Sequence, residues 1–263
     1  MTELFNEEEV RKAINSLKNG KRPRIDDLCA EQLKNGPALT CHKMAELLNH
    51  MAATGDHLIE IKTGILVPLQ KPGKKKGPTS NLRPVILLSL LRKILAICLI
   101  RPIGSKIDAE IPLTQAAYRS GRGTTEQLLT IKLLAEKAAT TPNYVTNVLL
   151  MDMGKAFDRV KRRTVVEDLR PILEEDELHL IKLLMEDVKL AVRIQGQTGE
   201  KFNTNVEVQQ GDCLSPIFFT LYLANALKDE SEKSDESSEK HQELVPHIRD
   251  HCYANVRRTG MLI

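Results

Sequence analysis

Aromatic side chains are scarce in this 263-residue chain, which has five phenylalanines, four tyrosines and no tryptophan. Stacking of successive bases on a broad aromatic platform is therefore a poor candidate for its main mode of binding. Its cysteines show no C-x-x-C spacing and no pairing with histidines, which argues against a zinc site or a disulfide framework and suits a reducing compartment. They are Cys29, Cys41, Cys98, Cys213 and Cys252.

Long uninterrupted apolar runs are also missing. The most apolar stretch, residues 86–100, is broken by Arg92 and Lys93, which predicts a core helix and not a membrane span. Residues 1–6 lead straight into acidic residues, without the apolar segment of a secretory signal. We therefore expect an intracellular protein that binds no membrane, with nucleus and cytoplasm both left open.

Positive charge is clustered along the chain and not abundant overall. The formal net charge is only +3, but lysines and arginines gather at residues 18–24, 71–76 and 159–163, near breaks between apolar segments. Basic loops of this kind can neutralise phosphate groups. A solvated surface explains any single one of them equally well.

The pattern of apolar residues predicts one mixed α/β (α+β) domain with helices at its front. Strands are expected at 65–70 and 144–151, and a β-hairpin around a glycine-rich turn within 192–210. The acidic run 228–243 has almost no apolar groups, which predicts a disordered loop. Helices are expected around 10–17 and 44–51 and at 88–107, 124–139, 161–169, 176–189 and 215–227.

A candidate catalytic carboxylate, Asp152, directly follows the apolar run 148–151. Carboxylates fixed at strand ends hold the ions of two-metal nucleotidyl transfer, although a lone strand-end aspartate is more often structural. Phe157 follows five residues later, where a ring can lie under a nucleotide sugar and exclude a 2′-hydroxyl. Gln210 and Gly211 form a turn before an apolar helix, and glycine lets backbone approach a neighbour closely. Together these features favour a polymerase site.

Four blocks in the same order resemble the reverse transcriptases of non-LTR retrotransposons. Residues 152–160, reading DMGKAFDRV, resemble the family motif D-F-S-K-A-F-D-x-V. Residues 80–95, 114–128 and 209–227 resemble the N-Y-R-P-I-S-L-L, Q-x-G-F-R-x-G-R-S-T-x-x-Q and Q-G-x-x-L-S-P-x-L-F-x-L-Y segments. Residues 7–23 are similar to the family's opening helix and loop. The resemblance covers essentially the whole chain.

That resemblance implies a right-hand polymerase fold of fingers and palm. Residues 1–140 would form a fingers-like helical region with basic loops, and residues 141–263 a palm-like region with a small, mainly antiparallel sheet. The implied activity is template-directed DNA synthesis from RNA, with Mg²⁺ as cofactor. An RNA template, a DNA primer and a dNTP are the implied partners.

The resemblance also assigns roles to single residues. The family's arginine before proline holds the incoming triphosphate, and here that residue is Arg83, whose planar fork suits phosphate oxygens. Asp152 becomes the catalytic metal ligand and Phe157 the sugar gate, while Gln210 and Gly211 form the turn against the template–nucleotide pair. The candidates for backbone-phosphate contacts are Lys71, Lys74, Lys75, Lys76, Arg119 and Arg122.

The second metal motif departs from the family pattern. Where the family reads roughly Y-A-D-D, this chain reads Tyr253-Ala254-Asn255-Val256, so both carboxylates are replaced. Asp152 would then be the only anionic ligand for two divalent ions about 4 Å apart. We predict impaired catalysis, and we expect a truncated copy with an incomplete palm and a missing thumb.

Alternative interpretations remain open at this point. One is a non-catalytic remnant that binds RNA or an RNA–DNA hybrid, and another is a group II intron maturase-like protein, which shares the palm. A third is a protein whose motifs are relics without any nucleic-acid role. The KAFD spelling favours a retrotransposon. Oligomeric state, target site and any attached endonuclease are left open.

Overall fold

The computed structural model of the chain describes residues 4–21, 25–56, 58–142, 156–204 and 211–235. Within these ranges it contains eight α-helices and one four-stranded sheet, which confirms the predicted mixed α/β class. None of the described helices is long and apolar enough to cross a membrane.

The elements alternate between helical segments and two separate pairs of strands. The helices are α1 (Glu7–Ser16), α2 (Ala30–Lys34), α3 (Leu39–Thr54), α4 (Leu90–Glu110), α5 (Thr124–Thr140), α6 (Arg162–Leu169), α7 (Glu175–Met185) and α8 (Ser215–Asp235). The strands are β1 (Thr63–Gln70), β2 (Leu82–Leu88), β3 (Val188–Ile194) and β4 (Gln197–Thr204).

Helix α1 begins with a complete capping box. The side chain of Asn6 accepts a hydrogen bond from the backbone of Glu9 at 2.9 Å, and the Glu9 carboxylate accepts one from the backbone of Asn6 at 3.1 Å. These two bonds satisfy donors that the first turn of a helix leaves open. Val10, Ala13 and Ile14 are buried at the predicted helical spacing, and α1 packs against α3 and α4.

Helix α4 forms the centre of the apolar core. Its interior face carries fully buried side chains at helical spacing, which satisfies the prediction of a core helix in this segment. It packs against α1 and α7. The largest fully buried side chains are those of Ile94, Leu95, Leu99, Ile103 and Ile107.

The sheet has the order β2-β1-β3-β4, with β1 parallel to β3 and the two outer pairings antiparallel. One face is a compact apolar cluster of Ile86, Leu88, Val188 and Leu190, with Leu66 packed against it. The sequence analysis missed β2, because its apolar residues run without a break into those of α4. A buried strand and a buried helix cannot be separated by periodicity alone.

The predicted hairpin is confirmed as β3 and β4, joined through Gln195 and Gly196. Both turn residues have positive φ, 51° and 85°. A two-residue loop with two positive φ angles matches the right-handed twist of the strands on either side. The predicted helix 176–189 is wrong at its end, because α7 stops at Met185 and β3 begins at Val188.

Helix α8 corrects the prediction for the acidic run. It continues to Asp235, so residues 228–235 are helical and not a loop. Glutamate and lysine are good helix formers, and an apolar helix entering the run supplies the nucleus that an isolated segment lacks. Residues 236–243 and the predicted strand at 144–151 lie outside the described residues.

The chain divides into two compact units. The first takes in the described residues within 1–110 and 157–222, and the second those within 111–156 and 223–263. The predicted division into a fingers-like and a palm-like region at residue 140 stays a prediction. The first unit contains the sheet and most of the candidate site residues that the structure describes.

Candidate active site

Gly211 lies where the chain enters the turn before α8, and it presses against strand β2. Its φ is +120°, a conformation that residues with a side chain rarely adopt. A Cβ atom at this position would stand 2.6 Å from the backbone oxygen of Ile86. Gly211 therefore approaches the protein's own backbone closely, within the first unit, and its predicted role against the template–nucleotide pair stays a prediction. Its partner Gln210 lies outside the described residues.

Substituting alanine for Gly211 is expected to destabilise the fold by roughly 2–4 kcal/mol, because backbone strain and the contact with Ile86 add together. Urea unfolding followed by circular dichroism measures the loss. Gly73→Ala is the matched control, since Gly73 also has positive φ (+70°) but has open space around it. Equal losses of stability in the two variants would show that the contact with Ile86 adds nothing to the cost of a side chain at Gly211.

The same turn is fixed by a buried ion pair between Arg92 of α4 and Asp212. Nε and Nη2 of Arg92 donate to Oδ2 of Asp212 at 3.1 and 2.8 Å. The two side chains are only 4% and 5% exposed. Nη1 of Arg92 donates to the carbonyl oxygens of Ile61 and Leu184 at 3.1 and 2.8 Å. One guanidinium thus joins α4, the chain before β1, the end of α7 and the Gly211 turn.

Asp212 also shapes the turn locally. Its Oδ1 accepts a hydrogen bond from the backbone of Leu214 at 3.2 Å, just before α8 begins. The sequence analysis missed both members of the pair and treated Arg92 only as an interruption of an apolar helix. A usable signal was present, because a charge at a core-facing position of an apolar helix requires a buried partner.

Phe157, the predicted sugar gate, stacks on Phe219 of α8. The ring centroids are 4.7 Å apart and the planes are inclined by 27°. Both side chains are partly buried. An offset stack of this kind holds the first ring in place. Phe157 is therefore positioned by the helix that follows the Gly211 turn, while Asp152, five residues before it, lies outside the described residues.

Arg83 lies on β2 opposite Leu69 of β1, and its side chain is exposed. It stands near the β1–β2 connection, which we call the lysine loop (residues 71–77). The backbone of this loop is held by the side chain of Asn81, which donates to the Lys75 carbonyl at 2.9 Å. Nζ of Lys71 is directed back to the Ser80 carbonyl at 2.9 Å.

The lysines of the loop therefore divide into two kinds. Lys71 ties the loop to the Ser80 carbonyl just beyond it, whereas Lys74, Lys75 and Lys76 are exposed. An ordered loop that presents three exposed ammonium groups suits contact with a phosphate backbone.

In the second unit, Arg119 and Arg122 have partners close by in the chain. Nη1 of Arg119 donates to the carbonyls of Pro112 and Gln115 at 2.8 and 3.2 Å. Arg122 lies 3.9 Å from the carboxylate of Glu126 on α5. Arg119 thus helps to fold its own loop, and its predicted contact with phosphate stays a prediction.

The basic segment 159–163 contains a second buried arginine that the sequence analysis grouped with possible phosphate contacts. Nη1 of Arg162 donates to the carbonyls of Met185 and Thr204 at 2.8 and 2.6 Å, and Nη2 donates to the Thr204 hydroxyl at 3.0 Å. Its guanidinium joins the start of α6 to the ends of α7 and β4. This arginine is part of the structural framework.

The residues of the predicted metal site, Asp152, Asn255 and Val256, lie outside the described residues. Among the residues that the structure does describe, no group of three histidine, cysteine, aspartate or glutamate side chains could hold a metal ion. The donor set supplied by the sequence is one carboxylate, one amide and one hydrocarbon side chain. That set does not fit two Mg²⁺ ions, which need several anionic oxygen ligands.

Comparison with known proteins identifies relatives. The reverse transcriptase (RNA-dependent DNA polymerase) family matches residues 70–253. The chain is 28% identical over 216 residues to the probable RNA-directed DNA polymerase from transposon X-element of Drosophila melanogaster, covering 81% of this chain and 24% of that protein. It is 26% identical over 220 residues to the RNA-directed DNA polymerase from mobile element jockey of Drosophila funebris, covering 83% and 24%. The chain thus spans about a quarter of the length of these relatives.

One solved structure, the apo telomerase from Candida tropicalis truncated from its C-terminal domain, gives a TM-score of 0.47 at 15% identity. That likeness covers 67% of this chain and 40% of the telomerase chain, and it is too low to support a statement about this fold. The family match and the transposon relatives carry the assignment. On their strength the chain belongs to the reverse transcriptase family, as the reverse transcriptase domain of a non-LTR retrotransposon.

Proposed function

We propose that this domain holds an RNA template paired with DNA, together with the incoming dNTP, and that by itself it extends a primer very slowly. The observation that carries the proposal is the Arg92–Asp212 pair, which fixes the Gly211 turn against β2. A buried guanidinium costs free energy unless its partners are in place, and that of Arg92 donates four hydrogen bonds, two of them to Asp212. The fixed position of this turn supports a role against the template–nucleotide pair, whereas the second metal motif lacks its carboxylates.

The proposed roles follow the geometry of the first unit. Arg83, exposed on β2, would receive the triphosphate, and its planar fork suits phosphate oxygens. Phe157, held against Phe219, would lie under the sugar of the nucleotide. The exposed lysines of the lysine loop would contact backbone phosphates.

The predicted impairment follows from charge. In this chemistry two divalent ions stabilise the attacking and leaving oxygens. Asn255 can offer an oxygen without charge, and Val256 offers none. Asp152 alone leaves most of the ionic charge without neutralisation. The protein's remaining contribution is to hold and orient the strands and the nucleotide.

The second candidate function is a binding module without catalysis, favoured by the same loss of carboxylates. Two measurements on the purified chain separate the candidates. Fluorescence anisotropy detects binding of an RNA–DNA hybrid at several salt concentrations, and a primer-extension assay with Mg²⁺ or Mn²⁺ detects synthesis. Binding with slow extension supports the proposal, and binding with none supports the second candidate. Extension at rates of ordinary polymerases contradicts the predicted impairment, and absence of binding at low salt contradicts both candidates.

Removing the three exposed charges in the variant Lys74→Ala, Lys75→Ala, Lys76→Ala is expected to weaken hybrid binding in a salt-dependent way. Each lost phosphate contact lowers the slope of log K against log salt by about 0.7–0.9, so the expected change is roughly 2. The matched control removes Lys12, Lys43 and Lys201, three exposed lysines elsewhere in the first unit. Equal losses in the two variants would indicate only an effect of total charge.

A further inference from the structure

A small cleft lies where α1 ends and α2 and α4 begin, and we call it the N-terminal cleft. Its volume is about 90 Å³. Three of its lining side chains are lysines, the others are apolar or a thiol, and no carboxylate lines it among the residues that the structure describes. The lining residues are Leu17, Lys18, Lys21, Leu28, Cys29, Ala30, Leu90 and Lys93.

The loop that carries Lys18 and Lys21 is fastened to α2. Nζ of Lys34 donates to the Leu17 carbonyl at 2.5 Å, and the backbone of Gly20 donates to the Glu31 carboxylate at 2.5 Å. These contacts preset the backbone between them. Because the loop is already held in place, ligand binding loses less conformational entropy than it would with a free loop.

Two nearby carboxylates accept hydrogen bonds from backbone groups. Asp26 accepts hydrogen bonds from the backbone of Leu90 and Leu91 at 2.5 and 3.3 Å, which caps α4. The hydrogen bond from Gly20 lowers the pKa of Glu31, so that carboxylate is ionised and committed to the loop. The cleft itself is lined by positive charge.

Size and chemistry together indicate the ligand. Lysine ammonium groups are compact point charges that suit phosphate oxygens. A cleft of about 90 Å³ is smaller than the roughly 300–1,000 Å³ of pockets that enclose a whole small molecule. It can hold several waters, and so a single phosphate group. The remainder of such a ligand must lie outside, as in a nucleic-acid strand.

The position of the cleft favours a strand that also reaches the lysine loop. Strand β2 has the lysine loop at one end and leads at the other into α4, which carries Lys93. Seven residues of strand span roughly 23 Å. A nucleic-acid strand carries a phosphate about every 3.4 Å of duplex axis, so one strand can occupy both positions.

We propose that the N-terminal cleft binds a backbone phosphate of the nucleic-acid strand, with Lys18, Lys21 and Lys93 as its cationic partners. This assignment rests on the proposed function, since it requires a bound strand. The cleft extends the nucleic-acid surface from the lysine loop to the first helices of the domain.

Cys29 provides a reporter inside the cleft, because its thiol is partly exposed. Peptide mass spectrometry measures the rate at which Cys29 is alkylated. The rate for the protein alone is compared with the rates in the presence of an RNA–DNA hybrid, inorganic phosphate or a dNTP. Cys98 is the internal reference, since it is buried on α4 away from the assigned nucleic-acid contacts and burial raises the pKa of its thiol to about 12. We expect saturating hybrid to slow Cys29 alkylation at least about fivefold, and phosphate or dNTP at the same concentration to leave it unchanged.

A second measurement tests the lysines themselves. The variant Lys18→Ala, Lys21→Ala, Lys93→Ala is expected to reduce the salt slope of hybrid binding by about 0.7–0.9, the contribution of the one phosphate that the cleft holds. The control variant at Lys12, Lys43 and Lys201 should change it little. Because Lys93 is half-buried on α4, the double variant Lys18→Ala, Lys21→Ala repeats the test with exposed residues alone, with an expected change of up to about 0.9.

The outcomes separate this inference from the proposed function. Hybrid that binds while Cys29 stays unprotected overturns the cleft assignment and leaves the proposed function standing. Protection by phosphate or dNTP alone overturns the assignment to a strand. Failure of the hybrid to bind at low salt overturns both.

Discussion

Restoring aspartates at positions 255 and 256 is expected to raise template-directed primer extension by about 100-fold or more. The variant Asn255→Asp, Val256→Asp supplies the two carboxylates that the family motif carries and this chain lacks. A 100-fold gain corresponds to about 2.7 kcal/mol of transition-state stabilisation, a modest demand for two anionic metal ligands. Gel-resolved extension of a labelled primer on an RNA template, with Mg²⁺, measures it.

The control for this gain is Asp152→Asn in the restored background, which should return extension to the level of the unaltered chain. Hybrid affinity, measured in parallel by anisotropy, should differ little among the three proteins. A double variant that binds hybrid normally and extends no faster than the unaltered chain would show that positions 255 and 256 do not limit catalysis. Rapid extension by the unaltered chain would refute the impairment itself.

Replacing Arg92 by methionine is expected to destabilise the first unit by about 3–5 kcal/mol, because the Asp212 carboxylate would stay buried without its partner. That loss is a large part of the total stability of an ordinary domain, roughly 5–15 kcal/mol. Urea unfolding monitored by circular dichroism measures it. Arg163→Met is the matched control, since that side chain is 92% exposed and its ion pair with Glu167 is worth at most about 1 kcal/mol.

The double variant Arg92→Met, Asp212→Leu distinguishes a buried charge penalty from loss of packing. Replacing both members by apolar groups removes the uncompensated carboxylate, so stability should recover in part relative to Arg92→Met. A double variant as unstable as the single one, or less stable, would show that the hydrogen bonds of Arg92 to Ile61 and Leu184 dominate. Equal, small effects of Arg92→Met and Arg163→Met would contradict the structural role of the pair.

The local parts of the fold were accessible from the sequence because their signals lie within a few residues. The helix after Asn6 is marked by its cap and apolar spacing, and the hairpin at Gln195 and Gly196 by its turn. The predictions failed where neighbouring elements share one apolar pattern. Strand β2 merges with α4, and the end of α7 merges with β3, so periodicity gives no boundary.

The sequence by itself determined the family, since four motif blocks in order need no coordinates, and it showed the missing carboxylates at Asn255 and Val256. Only the tertiary structure showed which charged residues are buried and bonded to other parts of the protein. Arg92 and Asp212 are 120 positions apart, and Gly211 meets Ile86 from a different element. Their pairing depends on how helices and strands pack, and burial, which makes the interaction strong, exists only once the chain has folded.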